Sequence, residues 1–438
     1  MDSVDPSYGS SSGSGGTPGG LVLAVLGCGS AGRRHAANAA RLGCKLILYD
    51  IDRSKAEELA NTLGSAGWHK GDKPHIAASV QEALQSDING CVVASPTHLH
   101  ASHVEEAIEA GIPCLVEKPL AVTTAEARRI ADLALERGVG IMVGYNLRFS
   151  SPTARARKLI QSGKLGRILL ARFWFGFDVT VWRPGVDWRT TYSYREATGG
   201  GVRLEASHEF DLCSHLLGRL QSIEGAWIGK SAHLESDIEA VALALAVTSD
   251  GIPVEICLDE CSPVYRRGFE IVGVDAVVSY DWSTKTFRLG ERLTSSGPAG
   301  TSSSPAPQEE HGMVEEVLDP GLPESYAKEM EEFLRCLSAG EDPSPDVWDG
   351  IEALAVAEAI EAAAKSGHRV EVQRFRASAY PADVESRWSD SGGSDTSGSE
   401  GRRSQSGDSE IESPKRRGSE GEALEDRGPE VSSGDSLR

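Results

Sequence analysis

Long apolar runs are missing from this 438-residue chain. Its longest, such as Leu21–Leu26 and Cys91–Ala94, are a few residues each, whereas a bilayer-spanning helix needs roughly 20. An integral membrane protein is therefore not expected. The opening segment, MDSVDPSYGSSSGSGGTPGG, has neither a basic stretch nor an apolar core, so a secretory signal is not expected either. Positive charge is also short: 44 Lys and Arg face 65 Asp and Glu, for a net charge of −21. Nucleic-acid binding over a broad surface would need the opposite balance. Lysine is the scarcer cation, 12 against 32 arginines. A salt-rich cytosol and a GC-rich genome both produce that bias. The eight cysteines form no CxxC pair, and Cys28, Cys91 and Cys114 sit in apolar, strand-like runs. They read as reduced, buried thiols of a cytoplasmic protein.

Polar composition marks the ends and one interior stretch. Residues 1–20 are Gly/Ser-rich and read as a flexible leader. Residues 377–438 hold 14 acids and 8 bases with few large apolar side chains, too little to offset the entropy of ordering. Ser295–Gly312 reads as a surface loop.

Between these segments the pattern changes once. Over 21–144, apolar strands (21–27, 45–49, 90–94, 112–116, 139–143) alternate with helices (31–42, 54–63, 99–110, 123–137). All-apolar strands in a β/α alternation predict a doubly wound parallel sheet covered on both faces, a Rossmann-type α/β domain. Over 145–376, longer strands follow at 168–177, 222–229, 239–248, 253–259 and 269–280, flanked by helices near 152–162, 208–217, 324–338 and 346–365. They predict an α+β domain with a large, mostly antiparallel open sheet.

The first strand runs into Gly27-Cys28-Gly29-Ser30-Ala31-Gly32. GxGxxG between a strand and a helix is a dinucleotide turn. The first Gly permits the bend, the second admits a pyrophosphate, and the third lets the helix pack close. The helix's first free amides then meet the phosphates. Asp50 ends the second strand, eighteen residues after Gly32, where a carboxylate accepts from both ribose hydroxyls and repels a 2′-phosphate. NAD is expected; Arg53 close by leaves NADP open.

Three further segments each follow a strand: Ser95-Pro96-Thr97-His98-Leu99-His100, Glu117-Lys118-Pro119 and Gly144-Tyr145-Asn146-Leu147-Arg148-Phe149. In this order, after GxGxxG, they resemble the Gfo/Idh/MocA oxidoreductases, the glucose–fructose oxidoreductase and inositol dehydrogenase group. The first of the three departs slightly from the family's TP-x-x-x-H turn. The resemblance implies that Lys118 touches both nicotinamide and substrate and can hold or relay a hydroxyl proton. It implies a cis bond before Pro119, Pro96 near the adenine, and Ser95, Thr97, His100, Glu117 and Asn146 bordering the cofactor. Asn146 and Arg148 are expected to reach the substrate as well.

In the second domain, Gly199-Gly200-Gly201 leads into Val202-Arg203-Leu204-Glu205-Ala206-Ser207-His208. His208 opens a helix, and a histidine there exchanges protons with a hydroxyl at neutral pH. The family commonly places an Asp four residues before this His and another three after it. Here Asp211 keeps the second spacing and Glu205 stands three before, so Glu205 is a candidate to orient His208 or bind hydroxyls. Asp211 is expected to be structural. The stretch from Trp182 to Arg195, with Arg183, Trp188 and Arg189, is rich in aromatics and arginine, which stack on sugar rings and bind anions. Trp182 and Arg189 are substrate candidates, with an oligomer contact as the competing reading. No histidine cluster has metal-ligand spacing.

Together these residues predict a nicotinamide-dependent dehydrogenase of a sugar, cyclitol or related polyol, with His208 as base and Lys118 polarising the same oxygen. An NAD-recycling glycoside hydrolase or lyase is the alternative, and a non-catalytic nucleotide-binding protein a third that Lys118 and His208 argue against. Alternating Val241, Leu243 and Leu245 opposite Ala240, Ala242 and Ala244 predicts a sheet with two apolar faces, one of them free for a homodimer or homotetramer.

Overall fold

The computed structural model describes residues 20–65, 73–85, 87–182, 185–231, 234, 238–292 and 312–375. The expected leader up to residue 19, most of the polar 295–312 stretch, Arg183 and the tail lie outside these residues.

The first domain is built as β1 (Val22–Leu26), α1 (Ser30–Arg41), β2 (Lys45–Tyr49), α2 (Arg53–Ser65), β3 (His75–Ile76), α3 (Val80–Gln85), β4 (Gly90–Val93), α4 (His100–Glu109), β5 (Cys114–Glu117), α5 (Thr124–Arg137) and β6 (Ile141–Gly144). All six strands are parallel, in the order 3-2-1-4-5-6. Strand order reverses between β1 and β4, and that switch point opens the crevice where ligands sit in such sheets. Strands β4, β5 and β6 are buried at every residue, as the unbroken apolar runs predict. The start of α5 is capped from both sides. Thr123 accepts from the Glu126 amide, while the Glu126 carboxylate reaches back to the amide of Val122.

The second domain continues with α6 (Ser151–Gln161), β7 (Ile168–Gly176), α7 (Val202–Glu205), α8 (Ser207–Leu217), β8 (Leu220–Gly229), β9 (Val241–Thr248), β10 (Pro253–Asp259), β11 (Arg266–Gly273), β12 (Ala276–Asp281), β13 (Thr286–Glu291), β14 (Met313–Val317), α9 (Leu322–Ala339), α10 (Val347–Ser366) and β15 (Val370–Glu371). Its strands form one nine-stranded sheet, 14-13-12-11-7-10-9-8-15. Only β7 and β10 pair in parallel. On β9 the small residues Ala242, Ala244 and Ala246 are buried, while Leu243 and Leu245 are exposed. The small residues face α7, while Ala-rich α10 packs on the neighbouring strand β8.

One expectation needed revision. The single strand expected at 269–280 is a hairpin, β11 and β12, whose turn is Val274-Asp275. The apolar alternation runs on through the turn and hides it; Gly273 marks the spot, since a Cβ there would lie 2.0 Å from the Leu165 carbonyl oxygen. The first domain is not closed by its own residues. Met330, Phe333 and Leu334 of α9 pack in one cluster with Leu23, Val25, Leu48 and Val92, so a helix from beyond residue 144 covers the first sheet.

Candidate active site

The glycine turn has the shape a dinucleotide needs. Gly27 has φ +100°, and a Cβ there would lie 2.5 Å from the Ala94 carbonyl oxygen. A Cβ at Gly32 would lie 1.8 Å from the Gly27 oxygen, which is how α1 comes so close to the turn. Gly29 has open space around its Cα and caps α1 without a side chain, leaving the amides around Ser30 and Ala31 at an uncrowded helix start. Asp50 stands at the lip. Its Oδ2 accepts from the Cys28 amide at 2.7 Å and its Oδ1 from the Asp52 amide at 2.9 Å, so its carboxylate is fixed at the end of β2 beside the turn. Burial, then the Asp50 charge, push the Cys28 thiol up to about 12, which leaves it inert. Arg53 is exposed and paired with Glu57 at 3.0 Å. These residues fit a dinucleotide.

Behind this turn, two buried histidines tie the motifs together. His100 lies 2.8 Å from the carbonyl oxygens of both Ser95 and Pro119, joining the Ser95-Pro96-Thr97 turn to the Lys118 turn. Burial holds its pKa below the usual value. The side chain of Ser95 meets His103 at 3.0 Å. His35 of α1 meets the Glu117 carboxylate at 2.7 Å. Burial alone would raise Glu117, but that bond and the neighbouring cationic groups hold it below the ordinary carboxylate range. Glu117, expected to border the cofactor, thus also holds α1 to the end of β5. Thr97 packs against Gly199 of the second domain.

Lys118 precedes the expected cis bond to Pro119. Its ammonium donates to the Glu205 carbonyl oxygen at 2.8 Å and lies 3.5 Å from the Glu205 carboxylate. Glu205 ends α7, and α8 starts two residues later with His208 in its first turn. His208 is buried, edge-on to the Tyr145 ring at 5.8 Å. Burial, then the charges of Lys118 and Arg267, hold it well below 6.5, so its imidazole is neutral at physiological pH. Lys118 is thus bonded to Glu205, and its charge is felt by His208.

Other candidates do not join them. The Asn146 amide donates to Ser325 of α9 at 2.9 Å inside the core. Arg148 is buried and forks onto Asp211, 2.6–3.0 Å, with Asp349 at 3.0 Å. Its donors are committed, so Arg148 holds α8 and α10 in place and does not present itself to a substrate. Asp211 is structural, as expected. Trp182 stacks on Phe177 and donates to its carbonyl oxygen. Arg189 is exposed, beside Asp187 and over Trp188. Sequence reasoning overlooked Tyr145, although it lies inside a motif already singled out. It also overlooked Glu260 and Glu329, buried acids with no hydrogen-bond partner, whose isolated positions carry no local signal.

The whole arrangement has counterparts. Residues 21–145 match the oxidoreductase family's NAD-binding Rossmann fold domain, and residues 157–372 match its C-terminal alpha/beta domain. A myo-inositol dehydrogenase of Streptomyces leeuwenhoekii is 28% identical over 357 residues, covering 79% of this chain and 98% of that protein. A scyllo-inositol 2-dehydrogenase (NAD(+)) of Bacillus subtilis is 29% identical over 208 residues, 46% of this chain and 56% of that protein. Among solved structures, a levoglucosan dehydrogenase in complex with NADH superposes with TM-score 0.69 at 20% identity, over 81% of this chain and all of that one. With both domains matched in order over most of its length, the chain belongs to the Gfo/Idh/MocA family of oxidoreductases.

Proposed function

We propose that this protein is an NAD-dependent dehydrogenase that oxidises a secondary hydroxyl of a sugar, cyclitol or sugar derivative, or reduces the matching ketone. The observation that carries this reading is the bond from Lys118 to Glu205, which brings the lysine's charge to bear on the buried His208. Gly27, Gly29 and the first amides of α1 hold the pyrophosphate, and Asp50 takes the ribose hydroxyls and disfavours a 2′-phosphate. NAD supplies the hydride acceptor when bound. His208, neutral at working pH, removes the hydroxyl proton. Lys118 donates to the same oxygen and stabilises the negative charge that builds on it. Glu205 keeps Lys118 in place across the domain junction. The inositol and levoglucosan dehydrogenases among the relatives support a polyol or sugar substrate.

The protein works as a cytoplasmic homo-oligomer in this reading. Its eight cysteines are all free, which suits a reducing compartment, and no described helix is long and apolar enough to cross a membrane. The face of the large sheet that bears Trp227, Leu243 and Leu245 is exposed and apolar, which suits contact with a second copy.

The test is a panel of inositols, sugars and nucleotide sugars followed by NADH absorbance. Substrate-dependent NADH formation supports the reading. Substrate consumption with no net change in NADH would instead identify the NAD-recycling hydrolase or lyase.

A further inference from the structure

Three cations stand near Asp50 at the edge of the first sheet, and each is matched by an acid. Arg53 lies 3.0 Å from Glu57, and Lys55 lies 4.0 Å from Asp52. Both pairs lie within α2 or the turn that leads into it. Arg33, near the start of α1, is held differently. Its Nε donates to the Cys28 carbonyl oxygen inside the glycine turn at 3.2 Å. Its two terminal nitrogens fork onto the Glu58 carboxylate of α2 at 3.1 and 2.7 Å. The amide of the same Cys28 donates to Asp50 at 2.7 Å. Arg33 and Asp50 are thus bonded to the two backbone groups of one residue. The guanidinium stands at the same lip as the carboxylate that takes the ribose in the reading above. The next residue, Arg34, lies over the Tyr326 ring of α9 instead. Ile51, straight after Asp50, is 89% exposed and has no donor to offer.

In a dinucleotide fold a 2′-phosphate is accommodated by an arginine near the ribose. The planar fork of a guanidinium takes two oxygens of a phosphate as readily as two of a carboxylate. Arg33 has its Nε anchored to the glycine turn, so its fork is already positioned, but a carboxylate fills it. The arginine is the inner member of the pair and the acid the outer, at 32% and 66% side-chain exposure.

We propose that Glu58 is a specificity-determining residue for the cofactor: by filling the Arg33 fork it withholds that guanidinium from a 2′-phosphate. NAD is then favoured over NADP by this pair as well as by the charge of Asp50. The inference rests on the dinucleotide site of the dehydrogenase reading. A 2′-phosphate would have to displace Glu58 before Arg33 could reach it, and would still meet Asp50. An exposed ion pair contributes little to folding, so a neutral residue at 58 leaves the fold intact.

The experiment titrates NAD and NADP separately onto the full chain by calorimetry and needs no substrate. Its readout is the ratio of the two affinities, in which any loosening of the glycine turn cancels because it weakens both. Glu58→Gln, which keeps the shape and removes the charge, strengthens NADP binding by about three- to tenfold and changes NAD by less than about twofold. Glu57→Gln removes the same charge from the same helix and releases Arg53, which is not tied to the turn; its ratio moves by less than about twofold. Arg33→Gln added to Glu58→Gln returns the ratio to that of wild type. A wild type that prefers NADP, a ratio unmoved in Glu58→Gln, an equal shift in Glu57→Gln, or a gain that survives the loss of Arg33 would overturn the proposal. Any of these with NAD still bound leaves the dehydrogenase reading standing, whereas a wild type that binds neither dinucleotide sinks both.

Discussion

Lys118 and Glu205, 87 positions apart, are joined by a 2.8 Å hydrogen bond from the lysine ammonium to the glutamate carbonyl oxygen. The bond connects the turn after β5 to the short helix α7, and so links the nucleotide side of the site to the side that carries His208. Lys118→Ala removes both the donor to the reacting oxygen and this link. The expected loss of turnover is ~10²–10⁴-fold. Glu205→Gln keeps the backbone acceptor and removes only the carboxylate charge. A fall comparable to that of His208→Ala would place Glu205 in the catalytic group; a change within about threefold would make it a positioning residue acting through its carbonyl.

His208 sets the pH behaviour. Its folded pKa lies below 6.5, chiefly through burial, so the acid limb of kcat/KM falls below pH 6.5 and the rate is flat from there to neutrality. The same depression has a stability consequence. Below pH 6.5 the unfolded chain takes up a proton that the folded chain refuses. The stability contributed by the neutral His208 is intact above that pH and is lost as pH falls through the folded value. His208→Asn should abolish most turnover and flatten this part of the acid-unfolding profile, measured by urea denaturation at a series of acidic and neutral pH values. An acid limb centred above neutrality would show that another group is the base.

Asp50 gives the cofactor prediction. It already accepts from the Cys28 and Asp52 amides, so truncation to Ala would disturb the turn as well as the ribose contact. Asp50→Asn keeps a carbonyl acceptor and removes the charge. NAD affinity should fall by about tenfold and the preference over NADP should narrow, by titration of cofactor binding. Unchanged NAD affinity would mean that the ribose hydroxyls are held elsewhere.

The motifs legible in the sequence share one property: local spacing alone encodes a backbone shape. Gly27 and Gly32 are required by contacts within the turn and with the neighbouring Ala94, and Lys118 is displayed by the turn that Pro119 begins. What the sequence concealed depends on distant partners. Arg148 looks like a substrate ligand until Asp211 and Asp349 arrive from α8 and α10. Nothing near Glu117 in the sequence says that His35 of α1 closes on it. Helix α9 was expected, but nothing in its apolar stripe says that the stripe packs on the other domain's sheet. The turn at Val274-Asp275 is hidden for a different reason, because the strands on both sides keep the same apolar alternation.

The exposed face of the large sheet supplies an assembly prediction. Trp227 and Leu243 are cross-strand neighbours, and Leu245 pairs with Gly225 on the same strands. Arg172, Glu255 and Glu270 form exposed ion pairs on the neighbouring strands β7, β10 and β11. Apolar side chains rimmed by charges are typical of a subunit contact. Leu245→Glu with Leu243→Glu should lower the mass seen by light scattering to that of a single 46.6 kDa chain, with the far-UV spectrum unchanged. A wild type that is monomeric at micromolar concentration would overturn the assignment of this face.

Glu329 of α9 is a buried acid away from the reaction, and it gives a stability test with a definite sign. Both of its oxygens lack partners, and it lies entirely within the layer where α9 meets α1 and the Asn146–Phe149 turn. Burial, then the charges of Glu117 and Asp211, raise its pKa well above 4.5. The folded chain therefore holds a proton that the unfolded chain releases near pH 4.5. The stability contributed by this protonated acid is fully present below that pH and is lost as pH rises through the folded value. Glu329→Gln keeps the shape and cannot ionise. Wild type and variant should have similar unfolding free energies at about pH 5, where both side chains are neutral in the folded chain. By about pH 8.5 the variant should be more stable by about 1–3 kcal/mol, the usual cost of leaving a buried polar or charged group unsatisfied. Urea denaturation at the two pH values decides it. A gap that stays constant, or that closes as pH rises, would mean that Glu329 is ionised and compensated in the folded chain, and that α9 does not carry a buried proton into the first domain's core.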